Sequence, residues 1–525
     1  MNGARALIDT LVSHGVDVVF ANPGTSEMHF VAALDAVPEM RAVLTLFEGV
    51  ATGAADGYAR LSGRPAAVLL HLGPGLGNGL ANLHNARRAG TPMVVVVGDH
   101  ATYHKRFDAP LESDIESVAR TVSGWVRRTT HPETLADDAV EAIRAAVGPP
   151  AQIATLVLPA DVSWSEGASL SRRDLAVASP LDVEPVQNEQ ISSVATALQS
   201  PERTVLLIGG DATAGPALLA AGRIAEATDT VLLSETFPAR LERGAGVARV
   251  EKLSYLVEAA TAQLADAKHL ILAGAREPVA FFAYPGRPSS FVPAGCQVHT
   301  LPTTSVAESL IALEDLVCGS DAAAPLTAAN RPQVAAGPLT ASGISQTLGA
   351  LLPRQAVIVD EANTSGIELP AATAGSPPHD VLALTGGAIG YGLPAATGAA
   401  IAAPGRPILC LEADGSAMYT ISALWTHARE NLNITTVIYN NRAYDILRME
   451  LARVGAQLPD KAASPKARAL LDIDNPALNF AKIATGMGVP ARQVTTAEEF
   501  NDALDFALAQ PGPLLIDAVI PPIIL

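Results

Sequence analysis

The sequence has few cysteines, few basic residues and no long apolar run. Only three cysteines occur among 525 residues, and their scattered positions provide neither a disulfide framework nor metal-ligand spacing. This pattern favours a reducing cytoplasm. The longest apolar stretches, 92–97 and 519–525, are far shorter than the roughly 20 residues that span a bilayer, and polar residues interrupt the N-terminal segment. We therefore predict neither a membrane helix nor a signal peptide.

Basic side chains are the minority among the charged residues. Lysine and arginine number 35 against 53 aspartates and glutamates, which gives a formal net charge of −18. The field of such a chain repels a phosphate backbone, so a nucleic-acid partner is not expected. Apolar residues are abundant at 49%, together with 42 glycines and 38 prolines. This mixture can bury a large core divided by many turns, and the length predicts roughly three or four domains.

Short β-rich apolar runs alternate with longer amphipathic or alanine-rich segments along the chain. Strand, helix and strand in repetition predict an α/β fold of doubly wound parallel sheets that are covered on both faces. Two stretches, 163–186 and 319–338, lack this periodicity and are rich in serine, proline and charge, which is typical of linkers. They divide the chain into three predicted α/β domains, 1–162, 187–318 and 339–525.

The first and third predicted domains contain similar segments. GRPAAVLLHLG begins at Gly63 and GRPILCLEADG begins at Gly405, and ATGAA occurs at 51–55 and again at 396–400. Both segments continue as strand, glycine turn, helix and strand. We therefore predict that the two domains are related, although an alanine-rich chain also produces such matches by chance.

Polar residues end two neighbouring predicted strands of the third domain. Asp414, Gly415 and Ser416 follow the strand PILCLE, and Asn440 and Asn441 follow TTVIY after one helix. The carboxyl ends of such strands meet at the crevice where open α/β sheets bind ligands. A carboxylate, a carboxamide and a backbone carbonyl suit Mg²⁺, and a helix N-terminus favours a diphosphate. An Asp-Gly-Ser turn by itself is usually only a helix cap.

The third domain contains EADGSAMYTISALWTHARENLNITTVIYNNRAYDIL. This run resembles the cofactor motif of the thiamine-diphosphate-dependent decarboxylases and carboligases, the family of the acetolactate synthases and benzoylformate decarboxylase. The resemblance implies one set of residues for Mg²⁺ and one for the diphosphate. The metal would be bound by the side chains of Asp414 and Asn441 and the carbonyl of Ala443, and the diphosphate would be contacted by Gly415 and Ser416.

A second segment of the first domain resembles the same family. FEGVATGAADGYAR, in which Glu48 opens a predicted helix, is similar to HE-x-x-A-x-x-A-A-x-G-Y-A-R. The resemblance implies that Glu48 is the glutamate that activates the aminopyrimidine of the cofactor, whereas a glutamate at a helix start is otherwise usually a dipole or capping residue. Two residues depart from the pattern. Phe47 replaces a frequent histidine, and Ala413 replaces the first glycine of the metal motif, which is compatible with a negative φ.

The segment GGAIGYGLP, which begins at Gly386, resembles the part of the family that bends the cofactor. The resemblance places Ile389 beneath the two rings and Gly387 against the cofactor, among glycines that allow close approach. An isolated isoleucine would ordinarily be a core residue.

Two further resemblances concern the substrate. Residues 22–27, NPGTSE, are similar to a decarboxylase loop whose serine contacts the 2-oxo acid. Thr25 matches that serine by position, and a helix N-cap is the alternative. His71 ends the strand AAVLLH and aligns with an active-site histidine of benzoylformate decarboxylase, so a proton-transfer role is expected. Phe281 and Phe282 stand where that enzyme has a second histidine, which argues against benzoylformate itself as the substrate.

Loops and the middle domain give three more expectations. His100 and His104 lie in a basic loop after VVVVGD, where exposure to solvent is favoured over substrate steering. Residues 451–474 are expected to form a mobile segment that closes the site. The middle domain lacks the Arg-Phe-Asp-Asp stretch of flavin-binding acetolactate synthases, so FAD is not expected.

Together the motifs predict a thiamine-diphosphate- and Mg²⁺-dependent enzyme that acts on 2-oxo acids. It would decarboxylate them and then carry out carboligation, as acetolactate synthases do, or protonation, as benzoylformate decarboxylase does. The family binds its cofactor between two chains, which implies a homodimer or homotetramer. Two alternatives are a non-catalytic cofactor-binding paralogue and a nicotinamide-dependent dehydrogenase. For the latter, the glycines of 73–79 and Asp99 give an imperfect G-x-G-x-x-G pattern.

Overall fold

The computed structural model describes residues 1–171, 173, 186–302, 306–319, 322–453 and 465–522. Strands in these ranges form three sheets of six, five and seven strands, and the one antiparallel pairing between named strands within them is at the edge of the third sheet. Separate apolar clusters cover the two faces of each sheet. The predicted α/β class with three doubly wound parallel sheets is therefore confirmed. Both predicted linkers fall partly outside the described residues.

The first sheet is built from the N-terminal third of the chain. Its central strands are buried along their whole length, as expected where helices cover both faces. The strands are β1 (Val18–Ala21), β2 (Arg41–Leu44), β3 (Ala66–Leu70), β4 (Met93–Asp99), β5 (Trp125–Arg128) and β6 (Ile153–Pro159). The helices are α1 (Gly3–Ser13), α2 (Met28–Leu34), α3 (Glu48–Ser62), α4 (Leu72–Ala89), α5 (Ile115–Arg120), α6 (Pro132–Val147) and α7 (Ala160–Trp164).

The middle of the chain supplies the second sheet and one strand that leaves it. In chain order the elements are α8 (Val186–Leu198), β7 (Thr204–Ile208), α9 (Gly215–Thr228), β8 (Val231–Ser234), β9 (Leu241–Arg243), β10 (Glu251–Lys252), α10 (Val257–Leu264), β11 (His269–Ala273), β12 (Gln297–Thr300) and α11 (Val306–Val317). The sheet has the order β10-β8-β7-β11-β12. Strand β9 is missing from this order because it pairs with the third sheet.

The third sheet is built from the C-terminal third. Its strands are β13 (Val357–Glu361), β14 (His379–Ala383), β15 (Ile408–Ala413), β16 (Ile434–Asn440), β17 (Ala491–Val494) and β18 (Leu514–Val519). Its helices are α12 (Ala341–Leu351), α13 (Leu369–Ala372), α14 (Gly392–Ala402), α15 (Asp414–Ala417), α16 (Ala423–Arg429), α17 (Asp445–Arg453), α18 (Pro465–Ala469), α19 (Phe480–Gly486) and α20 (Ala497–Ala509). Strand β9 pairs antiparallel with β14 and closes one edge.

The first and third sheets share one topology. The first has the order β2-β1-β3-β4-β6-β5, and the third has β17-β18-β16-β15-β13-β14 followed by β9. We number the six strands of each sheet from 1 to 6 in chain order and leave out β9, which comes from the middle of the chain. The first sheet then has the order 2-1-3-4-6-5, and the third sheet has the same order when it is read from β14 to β17. This agreement supports the predicted relationship between the two parts of the chain.

The repeated ATGAA segments lie where α3 and α14 cross. A Cβ atom on Gly57 would overlap the carbonyl oxygen of Ala395, and a Cβ on Gly398 would overlap that of Ala54. The two helices therefore pack backbone against backbone, which only glycine permits at these positions. One apolar cluster continues from the first sheet into the third through this crossing. Across the ranges described above, no helix is long and apolar enough to cross a membrane.

Candidate active site

Asp414 is a buried carboxylate at the C-terminal end of β15. Its Oδ1 accepts a hydrogen bond from the amide of Gly415 at 2.7 Å, and its Oδ2 accepts one from the amide of Arg442 at 2.6 Å. Burial raises the pKa of Asp414 to about 6. No basic side chain of the described residues forms an ion pair with it, so a cation at this place would stabilise its ionised form. Ala413 has a φ of −74°, so the alanine fits without strain.

Asn441 lies next to Asp414 because the Arg442 amide follows it directly. Its Nδ2 donates to Asp445 at 3.0 Å, and its Oδ1 accepts from the amide of Ala443 at 3.0 Å. Carboxylate, carboxamide and main-chain oxygens thus meet at one sheet edge, a donor set that suits Mg²⁺. The described parts of the chain contain no group of three His, Cys, Asp or Glu residues that could hold a metal ion. A cation here would therefore need phosphate or water oxygens to complete its coordination.

Gly415 and Ser416 form a short turn rather than the start of a long helix. The predicted helix is divided into α15, which has four residues, and α16. Asn363 donates to the Ser416 hydroxyl at 3.1 Å. A Cβ on Gly415 would overlap the ring of Tyr444, so the ring packs directly on the turn.

The segment that contains Ile389 is held by a buried glutamate that sequence reasoning missed. The carboxylate of Glu361, at the end of β13, accepts the amides of Gly390, Tyr391 and Gly392 at 2.8, 2.8 and 2.6 Å. Burial raises the pKa of Glu361 to about 7. Nothing in the local sequence distinguishes Glu361 from a residue at an ordinary strand end, because its partners lie about thirty residues away.

Glu412 lies beside Glu361 and shares its buried site. Burial, followed by the charge of Glu361, raises the pKa of Glu412 well above its usual value. Burial therefore favours the neutral form of Glu412. This pair connects β13 with β15, two residues before the metal motif.

The carbonyl of Gly390 ties the Ile389 segment to the first sheet. It accepts hydrogen bonds from Asn82 Nδ2 on α4 and from the Thr420 hydroxyl, both at 3.1 Å. Asn82 Nδ2 also donates to the carbonyl of Gly49 at 2.8 Å. One side chain thus links the start of α3 with the Ile389 segment.

Phe281 covers the predicted cofactor glycine. One ring atom lies 2.5 Å from the position that a Cβ on Gly387 would take. The ring also contacts Phe237, Tyr255 and Phe282, with centroids 4.9 to 6.0 Å apart. The aromatic residue that replaces a histidine therefore lies beside this turn, as part of an aromatic cluster from the middle of the chain.

Glu48 and His71 approach each other across a glycine of α4. Glu48 is only 7% exposed, and Asn78 donates to its Oε2 at 3.0 Å. The position of a Cβ on Gly75 would be 3.2 Å from Glu48 Oε1 and 3.3 Å from His71 Cβ. The structure thus brings these two predicted residues together. No hydrogen bond between described residues joins either of them to Asp414 or Asn441, which lie on the third sheet.

His71 is bound by Glu27 and Ser26 rather than by Thr25. Its Nδ1 lies 2.9 Å from Glu27 Oε2 and 3.2 Å from Ser26 Oγ. Thr25 is exposed and begins a short turn whose N-cap is Gly24. The helix-cap alternative for Thr25 is therefore wrong, and among the hydroxyls of this loop Ser26 contacts the histidine.

The family can now be assigned. The N-terminal TPP binding domain of the thiamine pyrophosphate enzymes matches residues 1–119, and their C-terminal TPP binding domain matches residues 360–518. The chain belongs to this family. It is 64% identical over 527 residues to the "Putative acetolactate synthase large subunit IlvX" of Mycobacterium tuberculosis, with all of both chains covered.

Two decarboxylases are more distant relatives in the same family. The benzoylformate decarboxylase of Pseudomonas aeruginosa is 29% identical over 531 residues, which cover 98% of this chain and 97% of that protein. The solved thiamine-diphosphate-dependent 4-hydroxybenzoylformate decarboxylase of Rhodococcus jostii RHA1 has a TM-score of 0.83 and 25% identity, with 99% of each chain covered. The resemblance drawn from the motifs is confirmed, and the chain is a thiamine-diphosphate-dependent enzyme of the acetolactate synthase and benzoylformate decarboxylase type.

The glycines that suggested a dehydrogenase have a different role in this thiamine pyrophosphate enzyme. Residues 73–79 lie inside α4, where Asn78 supports Glu48. Asp99 is buried and pairs with Arg128 and Lys105. The dehydrogenase alternative is therefore wrong.

The two loops next to the site differ in how far the structure describes them. In the basic loop, Lys105 bonds Asp99 and Glu112, and the rings of His100 and His104 lie 5.5 Å apart. Of the predicted closing segment, 451–474, residues 454–464 lie outside the described residues. Its end packs at the metal motif, since the amide of Ile473 donates to the carbonyl of Arg442 at 2.9 Å.

Proposed function

We propose that this chain is a thiamine-diphosphate- and Mg²⁺-dependent enzyme that removes CO₂ from 2-oxo acids. The remaining acyl unit is then either protonated and released as an aldehyde or joined to a second carbonyl compound. The observation that carries the proposal is the buried Glu48 carboxylate. Asn78 binds one of its oxygens, and the other faces Gly75 beside His71. A carboxylate kept in this position suits proton transfer. A non-catalytic cofactor-binding paralogue would not require such a group, so Glu48 favours an enzyme.

The family's cofactor fits the two groups of residues. When bound, thiamine diphosphate supplies a nucleophilic carbon and a cationic ring that accepts the electrons released with CO₂. Glu48 would hold a proton at the pyrimidine, and the amides and hydroxyl at the β15 end would bind the diphosphate. Mg²⁺ would be held by Asp414, Asn441 and the carbonyl of Ala443, the diphosphate by Gly415 and Ser416, and the rings by Ile389 and Gly387. We propose no role for FAD.

The substrate would be held near His71, with Ser26 or Thr25 as the hydroxyl donor. His71 has two ring nitrogens, of which one can carry a proton while the other accepts one. Phe281 lies against Gly387, and apolar surroundings favour a step in which charge is lost. We infer that the substrate is a small-molecule 2-oxo acid with an apolar side chain.

The two fates of the acyl unit have different support. Carboligation is supported by the 64% identity to a protein named as a putative acetolactate synthase large subunit. Protonation, which releases an aldehyde, is supported by the similarity to two decarboxylases and by the hydrogen-bonded His71.

We further propose that the cofactor lies between two copies of the chain, with 1–162 binding the pyrimidine, 339–525 binding the diphosphate and 187–318 as a central domain. Exposed apolar side chains support this assembly. Those next to the two groups of site residues include Leu46, Ile367, Met418, Tyr419 and Leu470. A homodimer would cover them in pairs, and a homotetramer is the larger option.

The test is a panel of 2-oxo acids with straight, branched and aryl side chains. Each is incubated with the full chain, thiamine diphosphate and Mg²⁺, and the products are identified by mass spectrometry. A 2-hydroxy-3-oxo acid shows carboligation, and an aldehyde shows protonation. If the chain binds the cofactor in a titration and consumes no 2-oxo acid, the non-catalytic paralogue replaces this proposal.

A further inference from the structure

Glu27 is a buried carboxylate whose partners converge on His71. Its side chain has no exposed surface. Its Oε2 accepts the amide of Gly24 at 2.8 Å and lies 2.9 Å from His71 Nδ1, while its Oε1 accepts the hydroxyl of Ser26. Within the described chain no lysine or arginine pairs with it. A buried carboxylate needs donors on its oxygens, and among the described residues the His71 imidazole is the one ring or cationic group that lies within hydrogen-bond distance of it.

The chemistry of the carboxylate fixes the role of the facing ring nitrogen. An ionised carboxylate only accepts hydrogen bonds, so the His71 nitrogen that faces it must carry a proton. The Gly24 amide and the Ser26 hydroxyl point to the same carboxylate and suit its ionised form. His71 is therefore held with its proton on Nδ1.

Two glycines leave the space that this pair needs. A Cβ on Gly24 would overlap the His71 ring, and a Cβ on Gly98, in β4, would overlap Glu27 Oε1. Neither glycine has a positive φ, so the backbone conformation does not require glycine there. The requirement for glycine comes from the volume of the Glu27 and His71 side chains.

The opposite edge of the His71 ring is open. The side chain is 20% exposed, and its Nε2 has no hydrogen-bond partner among the described residues. We propose that Glu27 is a positioning residue that keeps the proton of His71 on Nδ1 and leaves Nε2 available to the substrate. The role of Glu27 in turnover rests on the proposed function, whereas the position of the proton on the His71 ring does not.

His71, held by Glu27, would act as a general base and then as a general acid. Nε2 of the neutral ring accepts one proton from a substrate or product group and returns it later, while the Nδ1 proton stays between the ring and Glu27. The carboxylate stabilises the positive ring that exists between these two transfers. Ser26 restrains the second carboxylate oxygen and so limits rotation of Glu27.

The first test reads the ring directly, without activity. Full-length protein labelled with ¹⁵N-histidine is loaded with thiamine diphosphate and Mg²⁺, and the His71 signals are assigned by their loss in His71→Gln. We expect the two-bond ¹H–¹⁵N pattern of a ring protonated on Nδ1. A ring protonated only on Nε2 would overturn the proposal, whatever the enzyme turns over.

The second test is a double-mutant cycle on turnover. We expect Glu27→Gln to lower kcat by about tenfold to hundredfold, which is at or below the lower end of the contribution of a general acid or base, with a smaller change in KM and in cofactor affinity. In the His71→Ala background the same change should lower kcat no further, because Glu27 acts through the histidine. Glu39→Gln, which alters an exposed glutamate in the turn between α2 and β2, is the matched control.

The two failures are distinguishable. If the reductions in kcat caused by Glu27→Gln and His71→Ala multiply in the double variant, the two residues act independently. That result would overturn the positioning role of Glu27 even if the NMR pattern of His71 is as expected. Absence of turnover in the unmodified enzyme contradicts the proposed function, and the NMR pattern then decides alone on the state of His71.

Discussion

Asp414 accepts the main-chain amide of Arg442 through its Oδ2, at 2.6 Å. Arg442 has a φ of +61°, a conformation that non-glycine residues adopt at a cost. The bond therefore stabilises the turn after β16 and places Asn441 beside the end of β15. Asp414 has a structural role as well as its proposed role in binding Mg²⁺.

Replacing Asp414 with asparagine separates these two roles. The amide oxygen can still accept the Arg442 amide, but the charge that attracts a divalent cation is lost. The NH₂ group of the asparagine would face the Gly415 amide, which Oδ1 accepts in the unmodified protein, and a buried donor left without an acceptor costs about 1–3 kcal/mol. We therefore expect Asp414→Asn to fold but to unfold at a moderately lower temperature. Its affinity for thiamine diphosphate in the presence of Mg²⁺ should fall about tenfold or more, as measured by calorimetric titration with and without the metal. Unchanged Mg²⁺ dependence would contradict the metal site.

Glu48→Gln tests the proposed proton transfer at the cofactor. The substitution preserves the shape of the side chain and a hydrogen bond with Asn78, so cofactor affinity should change little. We expect kcat to fall by about a hundredfold to ten-thousandfold in a steady-state assay with the best 2-oxo acid. Full turnover in Glu48→Gln would refute the role of Glu48.

Glu361→Gln tests the support of the Ile389 segment. Both carboxylate oxygens of Glu361 accept hydrogen bonds from main-chain amides. Glutamine keeps only one oxygen, so its NH₂ group would face at least one of these amide donors. A buried donor left without an acceptor costs about 1–3 kcal/mol, so we expect the free energy of unfolding to fall by this amount in urea titrations. Cofactor affinity should fall with it. Glu226→Gln, at an exposed position of α9, is the control, and equal stability of the two variants would count against this support.

Phe281→Ala tests the inferred preference for apolar substrates. Removal of the ring opens space next to Gly387, so the ratio of kcat/KM for aryl over short 2-oxo acids should change several-fold, within the range of about 1–3 kcal/mol for hydrophobic pocket contacts. Phe282→Ala is the matched control, because that ring contacts Phe281 edge to face and is more exposed. The same ratio in both variants would remove Phe281 from the substrate pocket.

His427 predicts a loss of stability in acid. It is fully buried, and its Nε2 lies 3.1 Å from the carbonyl of Leu393 and 3.0 Å from the Thr397 hydroxyl. Burial lowers the pKa of His427 to about 4, so between pH 6.5 and 4 the unfolded chain binds a proton that the folded chain does not. Over this range His427 should reduce the free energy of unfolding by up to about 1.4 kcal/mol per pH unit.

The measurement is chemical unfolding at several pH values. His427→Gln removes the titrating group, so its stability should depend less on pH than that of the unmodified protein over the same range. Parallel pH profiles of the two proteins would contradict the assignment.

The sequence predicted those features that local pattern determines. Alternating strands and helices gave the α/β class, and strand ends gave Asp414 and Asn441 as neighbours, because parallel strands end at one edge of a sheet. Glu48 and His71 were predicted as site residues from motifs, and the structure adds that a glycine of α4 allows them to approach.

Features that depend on long-range contact could not be predicted. Glu27 and Glu361 find partners that are distant along the chain, in the segments that precede α4 and α14, and Asn82 joins segments from opposite ends of the chain. The contact between Ser26 and His71 was missed for a different reason. The loop forms a tight turn, in which adjacent residues point in different directions, and alignment by position does not record this.

The crossing of α3 and α14 has a mechanical consequence. Because their backbones touch at Gly57 and Gly398 without intervening side chains, neither helix can rotate or slide without displacing the other. Glu48 begins one helix, and the Ile389 turn leads into the other. A displacement of α3 at Glu48 would therefore move α14 and the Ile389 turn as a rigid body, and the reverse also holds. The two proposed cofactor-binding elements of one protomer are thus mechanically coupled.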